Sequence, residues 1–191
     1  SQGKKNMQII SSKLNLQSNY ISKPELTSII MDSQNRINSM ALIHEKLYNT
    51  NDFSNIYFDT YISDLSHSLV SSYNYGKIDI KLKLNLEKIQ LSLNNAIPLG
   101  LILNELISNS LKYAFTDREK GRLTISFSCV NEEIIFKFKD DGIGLPKEID
   151  FMKTKTLGLQ LVNTLVEQLR GEISLKIKNG VCFTIKFNKF E

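Results

Sequence analysis

The sequence predicts an α+β protein in which an antiparallel helical hairpin precedes a mixed β-sheet that carries its helices on one face. Three observations predict it. In the first 48 residues apolar side chains recur at steps of three and four, the spacing of a helix seam. Beyond residue 77, five runs alternate apolar and polar residues, as strands do when one side is covered and the other wet. Helical segments separate those runs, so the order after the hairpin is helix, strand, helix, two strands, helix, two strands.

The first seam is Met7, Ile10, Leu14, Gln17 and Ile21. Ser22, Pro24 and Glu25 then read as an N-cap, a first-turn proline and the glutamate of a capping box. The second helix runs to about Tyr48 on Leu26, Ile30, Ser33, Ile37, Met40, His44 and Leu47. A hairpin of this size has too small a core to stand alone, so it is expected to pair with a second copy as a four-helix bundle. The polar stretch Asn49 to Asn55 marks a boundary between a unit at 1–50 and one at 54–191. A short helix follows with Phe58, Ile62, Leu65 and Leu69 on one side. The strands are expected at Ile78–Leu86, Leu123–Cys129, Ile134–Phe138, Ile173–Ile177 and Val181–Phe187, with helices at Asn94–Phe115 and Leu157–Leu169.

With 191 residues, 41% of them hydrophobic, the chain can bury a real core. No apolar run approaches the roughly 20 residues that span a bilayer, and the first residues lack the apolar centre of a signal peptide. A cytoplasmic location is therefore expected, with a membrane involved only through an upstream segment of a longer chain. The net charge of +4 comes with lysines scattered along the sequence, which fits an anionic small ligand and does not argue for nucleic acid. Cys129 and Cys182 sit in strand-like runs without metal-ligand spacing and read as small, buried or half-buried hydrophobes.

The helix at "LNELISNSLKYAFTD" keeps Glu105, Asn109 and Lys112 on one face, beside an apolar face of Leu99, Leu103, Leu106 and Ser110. A carboxylate, an amide and an ammonium in line suit a metal-bound polyphosphate. Taken alone, the segment is equally well a partly exposed amphipathic helix. The second feature is "KDDGIGLP", directly after a strand. Gly142 and Gly144 permit φ > 0 and close backbone approach, and Asp140 offers a carboxylate to a hydrogen-bond donor such as an adenine amine. Alone, this pattern could be an ordinary turn.

In order, N-E-x-x-x-N-x-x-K-Y on a helix, D-x-G-x-G after a strand and "TLGLQLV" opening a helix resemble the N box and two glycine boxes of the sensor histidine kinases. The resemblance covers roughly 78–187 and implies their Bergerat-fold (GHKL) ATP-binding domain, an α/β sandwich. The hairpin resembles the dimerisation and phosphoacceptor helices of the subclass whose acceptor box reads H-R-x-K-N-N-L/M-Q. On that pattern Lys4, Lys5, Asn6, Met7 and Gln8 fall on K-N-N-M-Q, with Lys5 in place of an asparagine. The acceptor histidine falls at Ser1, and the opening Ser-Gln-Gly is expected to be a cloning remnant, which leaves the chain able to bind ATP without its own acceptor.

The resemblance implies a role for each matched residue. Asn109 would ligate Mg²⁺, Lys112 would neutralise phosphate, Tyr113 would pack on the adenine and Glu105 would orient or deprotonate the attacking imidazole. The trio would then line the rim of a nucleotide pocket. Asp140 would read the adenine, Gly142 and Gly144 would make room for it, and Gly158 and Leu159 would open the helix whose N-terminus faces phosphate. Residues 145–156, with Lys147, Phe151, Lys153 and Lys155, would form the ATP lid. Val181 replaces a threonine of the family's last strand, a polar contact for which Thr184 could compensate. His44, followed by Glu45, is a weak alternative acceptor and more commonly a packed bundle residue, while His67 is expected to be solvated. The implied partners are a response-regulator receiver domain and a second copy of the chain. An anti-sigma-factor-like serine kinase and an ATP-binding pseudokinase or dimeric scaffold are the alternatives.

Overall fold

The computed structural model describes residues 2–18, 24–48, 55–73, 78–144 and 157–189. Helix α1 (Gln2–Ser18) and helix α2 (Pro24–Tyr48) form the hairpin. Strand β1 (Asn55–Tyr57) and helix α3 (Phe58–Tyr73) follow, then strands β2 (Asp79–Leu86) and β3 (Gln90–Ser92) and helix α4 (Leu93–Asn109). A π-helical turn at Ser110–Ala114 ends α4 and leads to β4 (Lys120–Val130) and β5 (Glu133–Asp140). Helix α5 (Leu157–Gln168) and strands β6 (Glu172–Ile177) and β7 (Val181–Asn188) complete the chain. Ser1, the capping serine, the boundary at 49–54 and the lid at 145–156 lie outside the described residues.

The five alternating runs make one sheet, ordered β2-β4-β5-β7-β6, parallel between β2 and β4 and antiparallel elsewhere. Alternation decides which side is covered. Leu123, Ile125 and Phe127 of β4, Ile134, Phe136 and Phe138 of β5, and Phe183, Ile185 and Phe187 of β7 are all buried on the helical face. Ile62, Leu65 and Leu69 of α3 and Val162, Leu165 and Val166 of α5 close over them. Fully burying each large apolar side chain contributes about 1.5–3 kcal/mol, so this layer dominates the stability of the unit. Strands β1 and β3, three residues each, form a small separate sheet that has no counterpart in the sequence reading.

Helix α4 is buried along most of its length, from Asn95 to Ser108, with only Ile97 exposed between them. It lies on the sheet and is flanked by α2, α3 and α5. The hairpin packs differently from its expected seam. Ile30, Ser33 and Ile37 are half-buried, yet Ile9, Ile10, Leu16, Leu26, Ile29 and Met40 are exposed. Among the α2 residues whose burial is described, the most buried are Asn35 and Ser39, which lie on the side facing the rest of the chain. Tyr61 is fully buried, and its hydroxyl donates to the Ser39 carbonyl at 3.2 Å while burial pushes its phenol pKa up.

Candidate functional site

Asp140 ends β5 on the covered face and is 2% exposed. Its Oδ2 accepts from Ser110 Oγ at 2.7 Å, and its Oδ1 accepts from the backbone N–H of Gly142 at 3.0 Å and of Val181 at 3.1 Å. The turn between β6 and β7 makes that possible. Asn179 and Gly180 both have positive φ, 53° and 99°, in the three-residue turn that joins Ile177 to its register partner Val181, a conformation that asparagine and glycine adopt most readily. A Cβ at Gly180 would also come within 2.7 Å of Asp140 Oδ1, so only glycine leaves the carboxylate its place.

The glycine loop then docks on the end of the π-helical turn. Ile143 N donates to the Ala114 carbonyl at 2.9 Å, and a Cβ on Gly142 would stand 2.5 Å from that of Ala114. Gly142 is there for close approach, whereas Gly144 supplies the positive φ of 81°. Asp141 anchors the other side, its Oδ1 accepting from Arg122 N at 2.7 Å and its carbonyl from the Arg118 guanidinium.

A second polar group lies along α4. Glu105 and Asn109 both reach the first turn of α5, since a Cβ at Gly158 would be 3.0 Å from Glu105 Oε2 and 3.5 Å from Asn109 Nδ2. Glu105 is 5% exposed, and so is buried under α2 where the sequence places it on a pocket rim. Arg36 of α2 explains why a buried carboxylate is tolerated. Its Nε donates to Oε1 at 2.5 Å and its Nη2 to Oε2 at 2.9 Å, the planar fork that suits a carboxylate. Asn104 Nδ2 adds a bond to Oε1 at 3.3 Å, and Asn104 Oδ1 lies 3.2 Å from Ser39 Oγ. One turn earlier on α2, Asp32 pairs with Lys112.

The structure therefore brings Glu105, Asn109 and Gly158 together, and Asp140, Gly142 and Ser110 together. Lys112 is drawn toward α2. Tyr113 is 65% exposed, and Leu159 is buried in the core, where it seats α5. Thr184 is a correction. Its register partners are Lys137 and Ser174, so it points to the open face of the sheet, opposite Asp140, because neighbouring strand residues face opposite sides. His44 lies within α2, and His67 is exposed with Nδ1 2.8 Å from the Ser63 carbonyl.

Sequence reasoning missed Arg36, Asp32, Ser110 and Gly180. Asp32 and Arg36 carried one signal, opposite charges four residues apart on a single helix face. The Asn179-Gly180 pair carried another, a hairpin turn between two alternating runs.

The hairpin and the sheet unit, together with this constellation, define the class. Residues 4–73 match the family model for histidine kinases, and residues 94–190 match that for histidine kinase-, DNA gyrase B- and HSP90-like ATPases. The second match spans half of the chain, which belongs to this ATPase family and, with the first match, to its histidine kinases.

Sensor histidine kinase PdtaS of Mycobacterium tuberculosis (strain ATCC 25618 / H37Rv) is 28% identical over 177 residues, or 91% of this chain and 34% of its own length. Blue-light-activated histidine kinase 2 of Erythrobacter litoralis is 28% identical over 110 residues, 56% of this chain and 32% of its own. The chain thus spans about a third of the length of these curated relatives. Among solved structures, the histidine kinase domain of the Erythrobacter litoralis EL346 blue-light activated histidine kinase has a TM-score of 0.76 at 18% identity, covering 97% of this chain and 94% of that one. Acinetobacter baumannii histidine kinase AdeS has a TM-score of 0.60 at 18% identity, covering 98% and 97%. At these identities the structural likeness speaks for the fold. No described helix is long and apolar enough to cross a membrane.

Proposed function

We propose that the chain is the ATP-binding core of a two-component sensor histidine kinase, which moves the γ-phosphoryl of ATP to a histidine and from there to a response-regulator aspartate. Residues 1–50 form the dimerisation and phosphoacceptor hairpin and 54–191 the nucleotide-binding unit. The observation that carries the reading is the setting of Asp140. An ionised carboxylate has about four acceptor positions. Three are used by Ser110, Gly142 and Val181, which orients the group and leaves one for a ligand donor such as the adenine amine.

Asn109 supports the phosphate end. It is half-exposed and offers one neutral oxygen beside the start of α5, and magnesium typically takes one or two protein oxygens and completes its shell with phosphates and water. When bound, that ion neutralises phosphate charge. The first turn of α5 lies beside Glu105 and Asn109 at Gly158, and the N–H groups of a helix N-terminus suit phosphate. Lys112 is the point charge for phosphate, and Glu105 orients the incoming imidazole. In the structure both are engaged by α2, so phosphate competes with Asp32 for Lys112 and the imidazole competes with Arg36 for Glu105. The exposed Ile9, Ile10, Leu16, Leu26 and Ile29 support a homodimer through the hairpin, and the match over residues 4–73 favours this reading over a serine kinase without a hairpin.

Calorimetric titration with Mg-ATP tests the proposal, beside Asp140→Asn. Saturable binding that weakens on the order of tenfold to a hundredfold in the variant is expected, the range for losing a hydrogen bond to a charged group. A folded sample that does not bind moves the reading to a dimeric scaffold.

A further inference from the structure

The lysines that look scattered in the sequence are gathered by strand register. On the open face of the sheet, Lys83 lies beside Thr124, Thr124 beside Lys139, Lys139 beside Cys182 and Cys182 beside Lys176. The next row has Lys137 between Ser126 and Thr184. All four lysines are exposed, and neither row contains a carboxylate. Lys81 and Arg122, side by side and exposed, extend the patch.

Carboxylates at outward positions of the five strands are confined to the ends. Asp79 stands at one end, and Glu172 and Glu133 at the other, where Glu133 pairs with Lys186 at 3.4 Å. Asp141, beyond the end of β5, is already bonded to Arg122 N. The centre of the face is a cationic band that also carries hydroxyls, running across five strands, or roughly 19 Å at the usual strand spacing.

We propose that this open sheet face docks on an anionic lipid bilayer through the lysine band. Charge complementarity selects the class of partner, and the layout selects among polyanions. Single-stranded nucleic acid is held in a groove with aromatic platforms, and no outward position of these strands carries an aromatic residue. The cations are spread in two dimensions, and all but Arg122 of those in and beside the band are lysines, point charges without the bidentate fork that reads defined anions. A bilayer presents phosphates in two dimensions and attracts each lysine near its surface. The band lies on the opposite face from Asp140, so docking leaves the proposed nucleotide site accessible and does not depend on that reading.

Co-sedimentation of the chain with vesicles tests this, using phosphatidylcholine alone against phosphatidylcholine with about 30% phosphatidylglycerol, a mixture that mimics an anionic leaflet. The expected result is binding to the anionic vesicles only, abolished in about 1 M NaCl, where the Debye length is about 3 Å. The double variant Lys83→Glu/Lys139→Glu should bind at least about tenfold more weakly while its unfolding midpoint stays that of the parent. Lys137→Gln/Lys176→Gln, a milder change at other places in the band, should weaken binding in the same direction. Equal binding to neutral vesicles, unchanged binding in both variants, or tighter binding to a single-stranded oligonucleotide or an acidic polypeptide than to the vesicles would overturn the proposal.

Discussion

Asp140 and Glu105 are carboxylates of similar burial, 2% and 5% exposed, and both are held by several hydrogen bonds, yet their partners come from different parts of the molecule. Those of Asp140 belong to the sheet unit itself, at Ser110, Gly142 and Val181. The ion-pair partner of Glu105 is Arg36, which belongs to the hairpin and lies 69 residues away. A partner in the same packed layer leaves only when that layer unfolds. A partner on a docked helix can leave by movement of the helix alone. On the proposed function, the adenine end of the site is built into the fold, while the phosphate end is conditional on where α2 lies.

Substitutions can break or sharpen that contrast. The largest effect is expected from Asp140→Ala, which strands the buried hydroxyl of Ser110 and two backbone donors. It should lower unfolding free energy in urea by about 3 kcal/mol, each stranded donor costing about 1–3 kcal/mol before water relieves part of the loss. Arg36→Met leaves Glu105 buried and unpaired, which should cost about 3 kcal/mol, and Glu105→Gln in the same chain should recover most of it. Simple additivity of the two changes in a double-mutant cycle, within about 0.5 kcal/mol, would remove the ion pair from the account.

Asp32→Asn works in the opposite sense, because it frees Lys112 for phosphate. Mg-ATP affinity measured by calorimetry should rise about twofold to fivefold, as expected for a partly exposed pair of less than about 1 kcal/mol. A fall in affinity would mean that Asp32 supports the site instead of competing with the ligand. The smallest effect belongs to Tyr113→Ala. With this residue exposed, unfolding stability should change by less than about 0.5 kcal/mol, so a larger loss of Mg-ATP affinity would place the ring on the nucleotide.

The sequence made the strands legible because a period of two marks every residue, and each of the five expected runs falls in the observed sheet. Strands β1 and β3 are too short to show that period. The π-helical turn is equally silent, since "SLKYA" continues the composition of α4, yet it is there that Ser110 meets Asp140 while Lys112 turns to α2. Asp140 and the glycines could be found by motif. Arg36 and Asp32 could not, because a pair closed across 69 or 80 residues leaves no local pattern beyond the charges themselves. The misplacement of Thr184 has a different origin. The motif supplied its neighbourhood, but only strand parity says which face a residue occupies.

The composition of the line where α2 meets α4 has a thermal consequence. Among the α2 side chains whose burial is described, the most buried are Asn35 and Ser39, and around them lie the Asn104 amide, the Arg36 guanidinium and the Glu105 carboxylate. Separating such surfaces exposes amides, hydroxyls and charges more than hydrocarbon, and it is hydrocarbon exposure that raises heat capacity. Release of the hairpin helix from the sheet unit should therefore carry a small heat-capacity change, and its equilibrium should curve little with temperature while the strongly apolar sheet layer unfolds with a steeply curved one.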